Sequence, residues 1–145
     1  MDNWTGTVTF GSRGNYRNWA GVGWSVPEHD WTRMEGYQAT LRFTAPRPRV
    51  DQMLAVKAMP VTSRLHQSMD IYLNGRFIGI VVATPSGTDQ WSFLVPRSFF
   101  DTEEPNLVTF TSPNAVIPAE EGHGTDQRRL SFAFVSVSLR EVPLM

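Results

Sequence analysis

The feature that most constrains the fold is an Asn-Gly pair, Asn74 and Gly75, which stands between two runs of apolar residues. This dipeptide tolerates the positive φ angles of a two-residue type I′ turn, whose twist matches that of two antiparallel strands. The sequence therefore predicts a β-hairpin over residues 69–82. A chain with such a hairpin contains at least one antiparallel sheet.

The register of the hairpin follows from the position of its turn. Counting outward predicts four cross-strand pairs: Leu73 with Arg76, Tyr72 with Phe77, Ile71 with Ile78, and Met69 with Ile80. The last two pairs lie on one apolar face, which is predicted to face the core. The aromatic pair lies on the other face beside Asp70 and forms a small exposed patch.

Six further segments are predicted to be short strands, most of them from an alternation of apolar and polar residues with a period of two. They span residues 4–10, 20–25, 37–43, 54–59, 90–95 and 106–111. In segment 37–43 the alternation places Tyr37 on the inner face with the other apolar residues, and Thr40 on the outer face. Residues 97–101 are predicted to form a single helical turn.

The last predicted strand, residues 130–140, changes phase along its length. Its apolar residues occupy even positions up to Phe134 and odd positions from Val135 onward. A regular strand would expose one of these two sets, so we predict a β-bulge near Phe134 or Val135, or a strand that crosses between sheets. The preceding loop, residues 112–129, is long for a compact domain, and long loops often bind ligands.

These segments amount to eight or nine short strands, and no stretch shows the apolar period of an amphipathic helix. Short strands separated by Gly and Pro turns predict an all-β fold, an antiparallel β-sandwich of the jelly-roll (galactose-binding-like) type. A chain of 145 residues suits one domain, residues 1–145. Because the chain has no cysteine, its stability must come from the core rather than from disulfides.

Charge and hydropathy argue against several classes of function. The formal net charge is −1 and the arginines are dispersed, which argues against binding of nucleic acid through its phosphates. No apolar run reaches the roughly 18 residues of a membrane-spanning helix. The first residues lack the basic start and apolar core of a signal peptide, so we expect either a cytoplasmic location or a fragment of a longer chain whose targeting signal lies elsewhere.

Side chains suited to ligand binding are concentrated in segment 21–36 and in the long loop. Sugars offer flat C–H faces that stack on aromatic rings, and hydroxyls that hydrogen-bond to carboxylates, amides and guanidinium groups. The predicted ligand-binding residues supply these groups: Trp24, Glu28, Asp30, Trp31, Arg33, Asn114, His123, Asp126 and Arg128. In a structural alternative, both tryptophans cap the open end of the sandwich and Glu28 pairs with Arg128 or Arg129.

Catalytic and metal-binding interpretations have weaker support. The chain has no Gly-x-Ser-x-Gly motif and no phosphate-binding glycine loop. Glu28 and Glu35 could form a glycosidase pair, but the sequence does not fix their separation. His29, His66 and His123 lack the spacing of a transition-metal site. We therefore predict no catalytic residue and no cofactor, although carboxylate-rich sandwich loops are compatible with a structural calcium ion.

One stretch resembles a known family. Residues 23–36, Gly-Trp-Ser-Val-Pro-Glu-His-Asp-Trp-Thr-Arg-Met-Glu-Gly, with residues 39–43, are similar to part of the β-sandwich accessory domains of bacterial polysaccharide-related proteins, often fused to glycosyltransferases. The resemblance continues through the Asn-Gly hairpin and Val95-Pro96 to residues 128–133. It implies a carbohydrate-binding module without catalytic activity. Its partners would be a carbohydrate or polysaccharide, and a glycosyltransferase or a second copy of the chain.

Two other functions stay open at this point. The patch of Tyr72 and Phe77, together with exposed sheet edges, is compatible with a protein-interaction or assembly domain. A small metal-dependent enzyme of the barrel type is the third alternative.

Overall fold

The computed structural model describes residues 6–44, 48–60, 67–83, 89–101, 105–120, 122 and 124–142. Within these ranges nine β-strands form one five-stranded and one four-stranded antiparallel sheet. The strands are β1 (Thr7–Thr9), β2 (Thr32–Glu35), β3 (Gln38–Phe43), β4 (Gln52–Met59), β5 (Gln67–Leu73), β6 (Arg76–Ala83), β7 (Asp89–Val95), β8 (Asn106–Thr111) and β9 (Leu130–Glu141). The predicted all-β sandwich is confirmed, and so is the helical turn, which spans Arg97–Phe99.

The five-stranded sheet is built around β9, its longest strand. One edge of β9 pairs with β4, which pairs in turn with β7. The other edge is shared by β1, opposite residues 136–138, and β2, opposite residues 130–134. Because the long loop leads directly into β9, the pairing of β2 with β9 brings this loop next to segment 21–36.

The predicted bulge in β9 is confirmed. Lys57 of β4 lies opposite Ser136, and the next residue, Ala58, lies opposite Phe134. Val135 is therefore the extra residue. The bulge resets the alternation, so that apolar side chains on both sides of it are buried in the same core.

The four-stranded sheet has the strand order β3, β8, β5, β6 and contains the predicted hairpin. Asn74 and Gly75 have φ angles of 53° and 79°, as a type I′ turn requires. Tyr72 lies opposite Phe77, as predicted. Their rings meet edge to face with centroids 5.7 Å apart.

Beyond that pair the predicted register is wrong. The observed pairs are Ile71 with Gly79 and Met69 with Val81. Ile78 is thus an extra residue in β6, and Ile80 is exposed whereas Val81 is buried. Gly79 supplies a physical reason, because a Cβ at this position would overlap the ring of Phe93 in the opposite sheet. The shift places the one residue without a side chain where the two sheets approach closely.

The core lies between the sheets and is rich in aromatic side chains. The rings of Phe110 in β8 and Phe134 in β9 have centroids 4.8 Å apart, so the two sheets are in direct contact. The largest fully buried side chains are Phe43, Phe110, Phe132, Phe134, Met34, Leu41, Leu54, Met69, Ile71, Leu73, Leu130 and Gln67. In the part of the chain that the structure describes, no helix has the length and apolarity to span a membrane.

Two of the predicted strands differ from the structure near the N-terminus. The first is observed only as Thr7–Thr9, and residues 4 and 5 lie outside the described residues. Segment 20–25 is not a strand, because Gly23 has a φ of 89°, which ends regular extended backbone. The segment instead follows the edge of β3, where Gly21 N–H donates to the oxygen of Thr40 and Thr40 N–H donates to the oxygen of Val22. Thr40 is therefore buried, not exposed as predicted.

Candidate functional site

The indole of Trp24 packs against the interior of the sandwich. Its ring centroid lies 4.9 Å from that of Phe10 and 5.0 Å from that of Phe134. Its Nε1–H donates a 2.9 Å hydrogen bond to the main-chain oxygen of Thr40. Both the ring and its polar atom thus have protein partners, as the structural alternative describes, and Trp24 is not part of the site that we propose below.

Trp31 and Asp30 lie on the outer side of the same segment. Trp31 is half-buried, and the guanidinium carbon of Arg33 lies 6.0 Å from its ring centroid. The indole N–H is buried and has no acceptor among the described residues, so this donor is not accessible to a ligand. Asp30 is exposed, with its Oδ1 2.7 Å from Nδ1 of His29. Asp30 therefore lies at the solvent edge of the segment.

Four of the predicted residues come together around one guanidinium group. Arg33 of β2 is half-buried, and burial lowers its pKa. Glu28 and Asp126 oppose this effect, while the positive charge of Arg128 adds to it. We call Glu28, Arg33, Asp126 and Arg128 the charged cluster. Its two acids and two arginines balance in charge, and the pairing of β2 with β9 brings them together.

Arg128 and Asp126 form the strongest interaction of the charged cluster. Arg128 Nη2 lies 2.6 Å from Asp126 Oδ2, and Nε lies 3.0 Å from Oδ1. Arg128 Nη1 also donates to Ser25 Oγ at 2.6 Å, which ties the long loop to segment 21–36. These hydrogen bonds lower the pKa of Asp126 to about 2 and raise the pKa of Arg128. The ion-pair partner of Arg128 is thus Asp126, whereas the structural alternative assigned Glu28.

The stability that Asp126 contributes is expected to be lost in acid. Its pKa is about 2 in the folded protein and about 4 in an unfolded chain, so the ionised carboxylate stabilises the fold above pH ~4 and ceases to do so as the pH falls toward ~2. The difference in Tm between the wild type and Asp126→Asn should therefore be largest near neutral pH and small near pH ~2. Thermal unfolding followed by circular dichroism measures it, with Asp89→Asn as the control for losing one surface charge. A difference that does not change with pH would contradict this assignment.

A groove lies beside the charged cluster at this end of the sandwich. Its lining residues are Glu35, Gly36, Tyr37, Gln127, Arg128 and Arg129, and its volume is about 630 Å³. We call it the rim groove. A hydrogen bond from Gly36 N–H to the oxygen of Arg129 holds its two walls together. Its volume is in the range typical of small-molecule sites.

Tyr37 is the aromatic ring of the rim groove, and 52% of its surface is exposed. The predicted inner-face position of Tyr37 is wrong because the residue precedes β3 and follows a turn at Gly36, where φ is 89°. The alternation of β3 therefore does not extend to it. The guanidinium carbon of Arg129 lies 5.0 Å from the centre of the tyrosine ring. Arg129 is itself held by a hydrogen bond from Nη1 to the oxygen of Ala115, so one face of the ring is covered by a fixed cation.

Tyr37 also lines a second groove. It is lined by Tyr37, Gln38, Asp70, Thr111, Ser112 and Pro113 and has a volume of about 440 Å³. We call it the sheet groove. Gln38, Thr111 and Asp70 lie in one row across β3, β8 and β5. None of the three is on the buried face of the sheet, so their polar groups face the groove.

Of the other predicted residues, Asn114 is described and lines neither groove. Asn114 has a structural contact, since its Oδ1 accepts hydrogen bonds from the N–H and Oγ of Ser68 at 3.0 and 2.8 Å. His123 and His66 lie outside the described residues. Sequence reasoning missed Tyr37, Gln38, Asp70, Gln127 and Arg129 as lining residues. The available signals were a glycine directly before Tyr37 and the paired arginines at the end of the long loop.

Comparison with known proteins bears on the fold. No protein-family model and no curated protein matches the sequence. Among solved structures, the CBM22-1 xylan-binding domain of Paenibacillus barcinonensis Xyn10C is similar over 100% of this chain and 99% of its own, with a TM-score of 0.60 and 9% identity. The carbohydrate-binding module CBM36 in complex with calcium and xylotriose is similar over 92% of this chain and 98% of its own, with a TM-score of 0.56 and 9% identity.

A third similar structure is the CBM36-1 domain of a multidomain xylanase from the hindgut metagenome of Trinervitermes trinervoides. The similarity covers 95% of this chain and 98% of that domain, with a TM-score of 0.53 and 9% identity. The chain has the jelly-roll fold of these carbohydrate-binding modules. At 9% identity the similarity concerns the fold, and it agrees with the family resemblance of the sequence at that level.

A calcium ion accompanies xylotriose in one of these modules. Among the described residues of the present chain, no three His, Asp or Glu side chains converge as a metal ion requires. A structural calcium ion stays a prediction for this chain, and the function proposed below does not depend on one.

Proposed function

We propose that this protein is a non-catalytic carbohydrate-binding domain and that its site is the rim groove. The observation that carries the proposal is an exposed, fixed aromatic ring, Tyr37, in a groove lined by guanidinium, carboxylate and amide groups. Such a ring provides a stacking surface for the C–H face of a sugar, and the polar groups provide partners for its hydroxyls. The fold supports the proposal, because carbohydrate-binding modules share it.

Asp126 of the charged cluster is unsuited to act as a general acid. A general acid for glycoside cleavage needs a raised pKa, so that it carries a proton near neutral pH. The pKa of Asp126 is instead lowered to about 2 by its hydrogen bonds with Arg128. Asp126 is therefore an ionised anchor that holds Arg128 in the groove wall. Ligand-binding roles for Asp30, Trp31, Asn114 and His123 stay predictions.

The test is titration of the protein with soluble xylan, mannan and cello-oligosaccharides by calorimetry. Tyr37→Ala should lower the affinity for the bound glycan about tenfold or more, because the stacking surface is lost. Tyr37→Phe should retain most of the affinity, because the ring remains. Chromatography of the incubated oligosaccharides should show no shorter products.

Phe77→Ala is the matched control, because Phe77 is an aromatic residue of similar exposure, 55%, that lines neither groove. It should bind like the wild type. A Tyr37→Ala protein that binds as tightly as the Phe77→Ala protein would place the sugar site elsewhere. Cleavage products that depend on Glu28 or Glu35 would overturn the non-catalytic role.

A second candidate function is protein association through β6. This strand pairs with β5 and, among the described residues, with no other strand, and it exposes more than half of Phe77, Ile80 and Val82. Exposed apolar strands at a sheet edge are prone to pair with another chain. Sedimentation as a monomer at all concentrations would exclude self-association. An attached or bound glycosyltransferase is a hypothesis that rests on the sequence resemblance alone.

A further inference from the structure

We infer that the rim groove and the sheet groove form one path for an extended, neutral oligosaccharide chain that passes over Tyr37. This inference rests on the proposed function and deepens it by naming the form of the ligand. The observation that carries it is that Tyr37 lines both grooves. One aromatic ring therefore forms the boundary between two adjacent depressions with polar linings.

The two faces of Tyr37 are not equivalent. Arg129 lies over the ring at 5.0 Å and lines the rim groove only. The guanidinium therefore covers one face of the ring. The other face is left for a pyranose, which would stack on it where the two grooves meet. The covering guanidinium of Arg129 remains available to hydrogen-bond a sugar unit on its own side.

The sheet groove offers hydrogen-bonding groups in a line. Gln38, Thr111 and Asp70 occupy one row across three neighbouring strands. Because neighbouring strands lie about 4.8 Å apart, this row spans roughly 10 Å. That length matches two linked pyranose rings rather than a single one. An amide, a hydroxyl and a carboxylate along the row suit the successive hydroxyls of a chain.

The charges along this path favour a neutral chain. Asp70 is the one ionisable carboxylate lining the sheet groove, and no lysine or arginine is among its lining residues. A uronic acid placed there would lie beside a like charge without a cation, which is unfavourable. In the rim groove, Arg128 is already paired with Asp126, and Glu35 is a further carboxylate in the groove lining. The two arginines of the rim groove are thus matched in number by Glu35 and Asp126, and Asp70 adds a negative charge to the path.

The experiment is calorimetry with xylo-oligosaccharides and cello-oligosaccharides of two to six units, using variants on each side of Tyr37. Affinity of the wild type should rise about tenfold with length before it levels off. Asp70→Ala in the sheet groove and Gln127→Ala in the rim groove should each weaken binding of the longest oligosaccharide about fivefold or more. Asp89→Ala, which removes an exposed strand carboxylate from the other sheet, is the control. Thermal unfolding of each variant establishes that it is folded.

The alternative outcomes separate this inference from the proposed function. If Tyr37→Ala abolishes binding but only one of Asp70→Ala and Gln127→Ala has an effect, the ligand occupies one groove and the path is wrong while the function stands. If the wild type binds neither the xylo-oligosaccharides nor the cello-oligosaccharides, the path is overturned. If it also binds neither soluble xylan nor mannan, the proposed function is overturned as well. Xylo-oligosaccharides that carry a methylglucuronic acid branch should bind more weakly than unbranched ones. Tighter binding of the acidic chains would overturn the neutral ligand.

Discussion

Replacing Trp24 with alanine is expected to lower the free energy of unfolding by about 2–4 kcal/mol, somewhat less than the usual cost for a fully buried aromatic side chain because Trp24 is partly buried. The indole contacts four aromatic rings, those of Phe10, Tyr16, Phe110 and Phe134. These rings would line the resulting cavity. The oxygen of Thr40 would also lose its indole donor. Equilibrium urea unfolding followed by circular dichroism measures the effect.

Trp31→Ala is the matched control, since both tryptophans belong to the same segment. Trp31 is half-buried, and the partly buried residues packed against the described core include Trp24 but not Trp31. Its replacement should therefore cost clearly less than that of Trp24. Equal losses in the two variants would contradict the placement of Trp24. A Trp24→Ala protein with unchanged stability but no sugar binding would make Trp24 a binding platform instead of a core residue.

The register of a strand could be predicted where the alternation of apolar and polar residues marks which side chains face the core. The bulge in β9 was predictable because the apolar residues change from even to odd positions at Val135. The bulge in β6 gave no such signal, because apolar residues run almost without interruption from Phe77 to Ala83. Its register is decided by contact between the sheets, where Gly79 admits the ring of Phe93. That contact joins residues distant in sequence, so no local pattern reports it.

The site was predictable in its chemistry but only partly in its residues. Glu28, Arg33, Asp126 and Arg128 could be selected because acids and arginines are frequent in the two loop segments. Their meeting depends on the pairing of β2 with β9, which hydropathy alone does not specify. The sequence predicts Tyr37 on the inner face because the alternation of β3 is assumed to begin at Tyr37, although this residue belongs to the turn before the strand. Trp24 and Trp31 have similar sequence contexts. The sequence therefore does not tell which of the two rings packs against the core.

Gly23→Ala is expected to be the other strongly destabilising change, with a loss of about 3–5 kcal/mol in the free energy of unfolding. Gly23 has a φ of 89°, which costs energy for any residue with a Cβ. A Cβ here would also overlap the main-chain oxygen of Gln38 and lie 2.6 Å from Cα of Ala39. Neither neighbour can move without shifting the start of β3. Urea unfolding measures the loss, and binding should weaken as well because β3 carries the residues beside Tyr37.

Gly36→Ala separates the two causes of this loss. Gly36 has the same φ of 89°, but nothing lies within 4 Å of a Cβ built there. Its replacement therefore carries the backbone strain alone and should cost about 1–2 kcal/mol. The difference between the two variants measures the steric overlap of segment 21–36 with β3. Equal losses would mean that this segment is not packed against the strand as closely as the structure places it.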